Sequence, residues 1–271
     1  MFTTERLSKY KIHKDPFPII EIENFLSKEE SKIATEIIKN SSFDELVAEG
    51  RKNIRKGTTN FYEFIKMHNF YSKLYDFFND QNIYKFLFDK LDLISNESKS
   101  KFKIKTKPRK FNKDYYEYKR TIHKINIFQK FYNYIWRRAP KIVKNLFSFC
   151  YFEMAFCMAT KGYSTTIHTD KNTRILVYLL YLNDLDEKDG GNLEFYGKQN
   201  KLENLKITVP EQQDFFLTHK IKPQAGRLIV FLSNPISFHK AEKIINSSTK
   251  RCFCYGSYSS NIDIEWTKIQ T

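Results

Sequence analysis

The stretch Tyr163-Ser164-Thr165-Thr166-Ile167-His168-Thr169-Asp170 is closely followed by Thr173-Arg174-Ile175-Leu176-Val177-Tyr178-Leu179-Leu180-Tyr181-Leu182-Asn183, and together they decide the fold. The second stretch is an almost continuous apolar run, as in a β-strand with both faces buried. The first stretch ends in a His-x-Asp pair. Residues two apart in an extended strand project from the same face, so His168 and Asp170 can reach one cation from one side.

A His-x-Asp pair alone is also explained by two solvated polar groups at a strand end. The pair gains meaning from a second histidine downstream, for which His239 is the best candidate. Two imidazoles and one carboxylate form the facial triad of a non-haem Fe(II) site, which leaves coordination positions open for a chelating cosubstrate and for oxygen.

Three further blocks predict the strands that surround this pair. Paired glycines in Asp189-Gly190-Gly191-Asn192 allow a sharp reversal before a short strand over Leu193–Gly197. The block Pro223–Glu242 predicts a strand, a tight turn at Asn234-Pro235 and a second strand that opens with the histidine. The block Lys250–Tyr258 predicts an aromatic-rich strand with Arg251 near its start.

An ordered series of motifs resembles the Fe(II)- and 2-oxoglutarate-dependent dioxygenases, in the branch that contains the prolyl 4-hydroxylases. The resemblance covers about residues 150 to 260 and, more loosely, the segment Phe17–Glu30. Any one motif is common, whereas their order and spacing together are specific. The motifs are His168-Thr-Asp170, Tyr181-Leu-Asn183, Gly190-Gly191-Asn-Leu193, Gly226-Arg-Leu228, Val230-Phe231, Ser237-Phe-His239 and Arg251.

The resemblance implies a mainly β fold with flanking helices, a double-stranded β-helix or jelly-roll barrel with the metal inside its mouth. It implies that His168, Asp170 and His239 hold Fe(II). Arg251 matches the arginine that binds the distal carboxylate of 2-oxoglutarate, and Tyr181 matches a tyrosine that hydrogen-bonds the same carboxylate. An ordinary surface arginine and a buried tyrosine with another partner are the alternatives.

The implied reaction hydroxylates an unactivated C–H bond and converts 2-oxoglutarate and O2 to succinate and CO2, with ascorbate as a reductant in the assay. The carboxylate of Asp170 favours hydroxylation over halogenation. One departure concerns Met158, which takes the place of a further tyrosine that contacts the cosubstrate in many relatives.

Length and composition allow one catalytic domain with elaborations. The chain has 271 residues, of which 41% are hydrophobic. We predict an N-terminal strand and supporting helices over residues 1–98, a basic aromatic-rich insert over 99–148 and the jelly-roll core over 149–264. Residues 1–16 lack the apolar centre of a signal peptide, and no run approaches the ~20 apolar residues of a membrane span. Buried free thiols at the four cysteines favour a reducing compartment, and we expect a cytoplasmic protein.

The N-terminal part predicts a strand over Phe17–Ile22 and a helix from Ser27 to about Asn40. Ser27 and Glu30 form a capping box at the start of that helix. Two more helices are predicted around Phe70–Phe78 and Ile83–Ile94, packed outside the barrel. His13 and His68 stand alone, and a lone histidine is more often structural or solvated than a ligand.

Residues 99–144 carry most of the basic charge. They contain 16 Lys or Arg residues and two acidic residues, Asp114 and Glu117, which gives a net charge of +14. The net charge of the whole chain is +15. Residues 99–110 predict an exposed loop or an edge ribbon. In the remainder, apolar residues recur at helical spacing, which predicts helices on either side of Pro140. Three interpretations stay open: a helical elaboration with a solvated face, recognition of an acidic partner such as a nucleic acid or a phosphorylated substrate, and an anionic membrane surface.

The primary hypothesis is therefore an Fe(II)/2-oxoglutarate hydroxylase. Its substrate is open: a prolyl or other amino-acid residue fits the resemblance, but sugars, lipids and nucleobases are hydroxylated at similar sites. A non-catalytic jelly-roll module that binds nucleic acid or membrane through the basic segment is the alternative. A cupin with another chemistry is a further possibility, although it would leave Arg251 unexplained.

Overall fold

The structure, a computed structural model, describes residues 2–43, 45–97, 102–105, 108–115, 134–136, 138–198 and 214–268, with only the backbone of 45–48 and 96–97. The helices are α1 (Lys28–Lys39), α2 (Thr59–Met67), α3 (Asn69–Phe78), α4 (Gln81–Glu97) and α5 (Lys141–Leu146). The strands are β1 (Lys11–His13), β2 (Ile19–Ile22), β3 (Glu45–Ala48), β4 (Arg51–Arg55), β5 (Phe102–Ile104), β6 (Lys110–Phe111), β7 (Phe149–Ala159), β8 (Arg174–Tyr181), β9 (Leu193–Lys198), β10 (Phe215–Ile221), β11 (Leu228–Leu232), β12 (His239–Ala241), β13 (Arg251–Ser260) and β14 (Trp266–Lys268).

Two sheets form the centre of the molecule, so it is mainly β with flanking helices. The large sheet has the order β1-β2-β11-β8-β13-β7-β4-β3, with β6 beside β7, and the small sheet has the order β10-β9-β12. Within this path of the large sheet and throughout the small sheet every pairing is antiparallel, and β6 runs parallel to β7. A separate ribbon pairs β14 with β5.

Strand β8 lies between two apolar layers, as its sequence predicts. Alternate side chains point to opposite faces of a strand. Leu176 and Leu180 join a helix-side cluster, whereas Val177 and Leu179 join an inter-sheet cluster between the two sheets. In the inter-sheet cluster Phe195 of the small sheet packs edge-on against Phe231 of the large sheet, with ring centroids 5.6 Å apart.

The helices cover the other face of the large sheet. Phe61 of α2 stacks on Phe156 of β7, and Phe78 of α3 stacks on Tyr178 of β8. The predicted capping box is present: the Ser27 hydroxyl accepts a hydrogen bond from the backbone N–H of Glu30, and the Glu30 carboxylate accepts one from the N–H of Ser27. Helices α3 and α4 are as predicted, whereas α2, β3 and β4 were not predicted.

The basic segment lies mostly outside the described residues. Its described parts include β5, which pairs with β14 as a two-stranded ribbon. Phe102 and Ile104 of β5 are buried. The segment also supplies β6 at the side of β7, and α5 follows Pro140. No helix in the described part of the chain is both long and apolar enough to cross a membrane.

Candidate metal centre

The three predicted metal ligands come together at the edge of the small sheet. His168 and His239 exchange backbone hydrogen bonds of 3.1 and 2.9 Å, which bring their imidazole centroids to 4.5 Å. His168 stands in this isolated bridge and not in a longer strand. Asp170 follows two residues later, and its Oδ2 lies 3.6 Å from His239 Nε2. One potential ligand atom from each of the three residues lies within 4.8 Å of the corresponding atoms of the other two.

Backbone carbonyls orient both imidazoles. His168 Nδ1 lies 2.8 Å from the carbonyl oxygen of Thr166, and His239 Nδ1 lies 2.9 Å from that of Ser237. A carbonyl oxygen only accepts, so each Nδ1 carries the proton and each Nε2 presents a lone pair, as in metal-binding histidines. Burial lowers the pKa of His239 to about 4, which keeps this ring neutral at physiological pH.

The carboxylate of Asp170 has one oxygen held and one oxygen free. Its Oδ1 accepts hydrogen bonds from Arg174 and from the Tyr255 hydroxyl, whereas its buried Oδ2 has no hydrogen-bond partner among the described residues. Burial is the largest single influence and disfavours the charged form, but the charge and hydrogen bond of Arg174, together with the two neighbouring histidines, outweigh it and hold the pKa of Asp170 below its usual value. A buried, ionised and unpaired oxygen beside two imidazole lone pairs fits a divalent cation.

The predicted cosubstrate residues lie together and are both buried. Arg251 is 2% exposed, and its Nη2 donates to the Tyr181 hydroxyl at 3.2 Å. The Nε and Nη1 groups of Arg251 have no partner among the described residues. A guanidinium presents N–H groups that match a carboxylate, so these free donors fit the carboxylate of a small molecule. Burial raises the pKa of Tyr181, which therefore stays a neutral hydroxyl.

Comparison with known families finds a match to part of the chain. Residues 154–256 match the 2OG-Fe(II) oxygenase superfamily. This part of the chain is therefore similar to the core of a 2OG-Fe(II) oxygenase. The match spans the three candidate ligands and Arg251, and it confirms the family resemblance predicted from sequence and the assignment as an enzyme of this type. A comparison with curated proteins finds no match.

Several solved structures are similar at low identity. A prolyl 4-hydroxylase from Pseudomonas putida is 15% identical, with a TM-score of 0.40, covering 89% of this chain and 91% of that one. A prolyl hydroxylase from Trichoplax adhaerens, in complex with a hypoxia-inducible factor peptide, is 16% identical (TM-score 0.44; 89% and 83% covered). HygX from Streptomyces hygroscopicus, with nickel and 2-oxoglutarate bound, is 9% identical (TM-score 0.47; 89% and 82% covered).

A partly buried arginine that the sequence did not reveal lies near the candidate site. Arg51 of β4 donates hydrogen bonds to the Tyr163 hydroxyl at 3.1 Å and to Cys157 Sγ at 3.5 Å. Its guanidinium also lies over the ring of Phe253, which Arg251 contacts as well. The signal was weak because β4 is short and polar, so nothing placed Arg51 near the site.

Met158, which the sequence places at a cosubstrate position, does not face the candidate site. Met158 packs against the helix-side cluster, on the face of β7 away from the small sheet, whereas Cys157 belongs to the inter-sheet cluster. A shift of one residue moves a side chain to the opposite face of a strand. Cys157 lies on the inner face of β7 with Ala155 and Ala159, and Arg51 and Tyr163 lie beside it.

A cavity of about 210 Å³ opens beside the candidate metal centre. Arg174 and Tyr255 line this cavity, and both also contact Asp170. The cavity therefore adjoins the candidate ligands on the side of the large sheet that carries β4, β7 and β13.

A second group of ligand-type side chains lies elsewhere. His13 is not alone, because its Nε2 lies 2.6 Å from Glu21 Oε2 and its ring packs on His219 with centroids 3.9 Å apart. The other oxygen of Glu21 lies 3.1 Å from Arg227 Nε. Since both oxygens of Glu21 already have cationic or donor partners, the group is explained by an ion-pair and hydrogen-bond network that joins β1, β2 and β10.

Proposed function

We propose that the protein is an Fe(II)- and 2-oxoglutarate-dependent hydroxylase whose two sheets form a double-stranded β-helix. One observation carries the proposal: the free Oδ2 of Asp170 and the oriented rings of His168 and His239 form one ligand group. Fe(II) held there supplies oxygen activation, which couples oxidation of 2-oxoglutarate to succinate and CO2 to hydroxylation of an unactivated C–H bond. The proposed organisation is an N-terminal supporting part over residues 1–98, a basic insert over 99–148 and the jelly-roll core over 149–264.

The remaining residues bind and orient the cosubstrate. The free Nε and Nη1 of Arg251 bind the distal carboxylate of 2-oxoglutarate. Tyr181 accepts from Arg251 and so turns its own hydroxyl hydrogen toward the same carboxylate. Phe195 and Phe231 lie close to His239, with centroids 6.5 and 5.0 Å from its ring, and exclude water from that side.

The resemblance to prolyl hydroxylases makes a prolyl or other amino-acid residue the first substrate class to examine. A cytoplasmic location agrees with the four cysteines, which are free and buried. An acidic partner for residues 99–144 rests on the charge of that segment alone. Charge-driven binding through it would weaken steeply with salt.

The test measures conversion of 2-oxoglutarate to succinate under oxygen, with added Fe(II) and ascorbate, so the substrate need not be known. We expect His168→Ala to abolish turnover. Arg251→Ala should raise the 2-oxoglutarate requirement by about 100-fold and Tyr181→Phe by about tenfold, since hydrogen bonds to charged groups contribute about 1.5–3 kcal/mol each.

Lys250→Gln is the matched control, because Lys250 precedes Arg251 but is exposed. It should keep the wild-type requirement. Absence of turnover together with absence of Fe(II) and 2-oxoglutarate binding by calorimetry would reject the proposed activity and favour a binding module.

A further inference from the structure

The cavity beside the metal centre is built on one face of three strands. Arg51, Asn53 and Arg55 alternate along β4 and pair with Ala159, Cys157 and Ala155 of β7, which all belong to the inter-sheet cluster. The intervening Ile54 is buried in the helix-side cluster. The arginines of β4 therefore point to the inner side of the large sheet, where the cavity lies.

The lining of this cavity is strongly basic. Four cationic side chains face it, and Glu153 is the one carboxylate among its lining residues; the cations are Arg51, Arg55, Lys171 and Arg174. Glu153 is already engaged by Arg55 at 3.3 Å and by the hydroxyl of Ser257 at 2.8 Å. Arg174 is in turn paired with Asp170, so Arg51 and Lys171 are the cations of this lining without a carboxylate partner among the described residues.

Arg51 contributes most to this imbalance. Its recorded hydrogen bonds go to Asn53, Tyr163 and Cys157, which are neutral groups, and no carboxylate among the described residues pairs with it. A partly buried guanidinium without an anionic partner is costly, and an anionic ligand would remove that cost.

The cavity is distinct from the proposed cosubstrate pocket but next to the metal. Arg251, which we assign to 2-oxoglutarate, is not among the residues that line it, whereas Arg174 and Tyr255 are, and these contact Asp170. With about 210 Å³, the cavity is smaller than the ~300–1,000 Å³ of typical ligand pockets, so it suits one polar group of a substrate.

We propose that the prime substrate carries an anionic group, a carboxylate or a phosphate, which is bound in this cavity by Arg51, Arg55 and Lys171. The proposal rests on the proposed hydroxylase function and specifies its substrate class. The bond to be hydroxylated then lies within a few bonds of the anionic group, because the cavity adjoins Asp170.

The test uses inorganic phosphate as the probe, titrated into metal-free full-length protein and followed by calorimetry or 31P line width. We expect Arg55→Gln to weaken phosphate binding about tenfold, and the double change Arg55→Gln with Lys171→Gln to weaken it further, as for loss of charged hydrogen bonds. The matched control is Lys52→Gln, which removes one charge from the same strand on the opposite face and should bind phosphate as the wild type does.

Three results would overturn the inference. The first is failure of phosphate to bind the wild type at roughly tens of millimolar, and the second is equal binding by all variants. The third is loss of binding in Arg251→Gln alone, which would place the ion in the cosubstrate pocket. A parallel titration with acetate distinguishes the two anion types, since the tighter probe identifies the group. Binding to metal-free protein requires no turnover, so a failure here is distinguishable from a failure of the proposed activity.

Discussion

Buried polar atoms that lack partners are concentrated at the proposed active site. Nine such side-chain atoms occur among the described residues, and four of them belong to Asp170, Arg174 and Arg251. Each unpaired buried group reduces stability by about 1–3 kcal/mol. Their concentration at one place indicates groups kept free for a ligand, because a site selected for stability alone would pair them.

Lys56 is a buried cation of another kind, and it gives a test of pH dependence. Burial lowers the pKa of Lys56 to about 8, and the negative charges of Glu153 and Asp114 offset only part of this shift. The Nζ group donates a hydrogen bond to the carbonyl oxygen of Phe152 at 3.0 Å. Below pH 8 the folded state holds a desolvated charge. Between about pH 8 and the ordinary lysine pKa of about 10.4 the unfolded state binds more protons, so stability rises with pH.

We expect Lys56→Met to raise the free energy of unfolding by about 1–3 kcal/mol at pH 7, with the gain shrinking toward pH 10. Urea unfolding at several pH values measures this, with exposed Lys52→Met as the control. If Lys56→Met were destabilising at every pH, the hydrogen bond to Phe152 would outweigh the cost of burial.

Sequence alone predicted the residues that carry motifs and missed those that only geometry brings in. His168, Asp170 and His239 lie in one group and Arg251 contacts Tyr181, and each of these residues falls in or next to a strand with a strong apolar pattern. Their chemical roles stay predictions until activity is measured. Arg51 could not be predicted, since its contact with Tyr163 spans 112 residues.

At the scale of elements, apolar continuity separates the predicted strands from the missed ones. Strand β8 is buried over nearly its whole length and was predicted almost to the residue. Strand β4 has the sequence Arg-Lys-Asn-Ile-Arg, in which only Ile54 is apolar, so its pattern resembles a solvated loop. Its place in the sheet comes from pairing with β7, a tertiary contact that propensity does not encode.

The start of α1 offers an element-scale prediction. Ser27 caps the helix, and the carboxylate of Glu30 binds both the Ser27 backbone and the guanidinium of Arg6. We expect Ser27→Ala to lower the free energy of unfolding by about 1 kcal/mol. Glu30→Gln should lower it less, because glutamine keeps the bond to the Ser27 backbone and loses only part of the contact with Arg6.

Urea unfolding of these variants is compared with that of Lys32→Ala, a change at an exposed position of the same helix. Equal stabilities for all three variants would show that packing against the sheet, and not the cap, fixes the start of α1.

At the scale of the whole molecule, the protein is a layer of helices, a large sheet and a small sheet. The helix-side cluster stabilises the large sheet from one side, and the inter-sheet cluster joins the two sheets on the other. The metal centre lies where β12 of the small sheet meets His168, so a bound cation would tie the small sheet to the segment that leads into β8.

Metal binding should therefore stabilise the fold. With Zn²⁺ at about 100 times its dissociation constant, the gain is about 2.7 kcal/mol, or roughly 5–10 °C in the unfolding midpoint. We expect His239→Ala to lose this shift in a thermal melt. His219→Ala, a change in the group formed with His13 and Glu21, should retain it. A shift lost only in His219→Ala would place the metal at that second group.

The double contact of Arg174 and Tyr255 has a thermodynamic consequence. Both side chains hold Asp170 Oδ1 and both face the basic cavity. An anion that draws Arg174 toward itself alters the field at Asp170, and so alters the free energy with which the three ligands hold their cation. Reciprocity then requires that loading the cation change the affinity for the anion by the same factor. The two ligands are thus energetically coupled through a single guanidinium, whichever of them binds first.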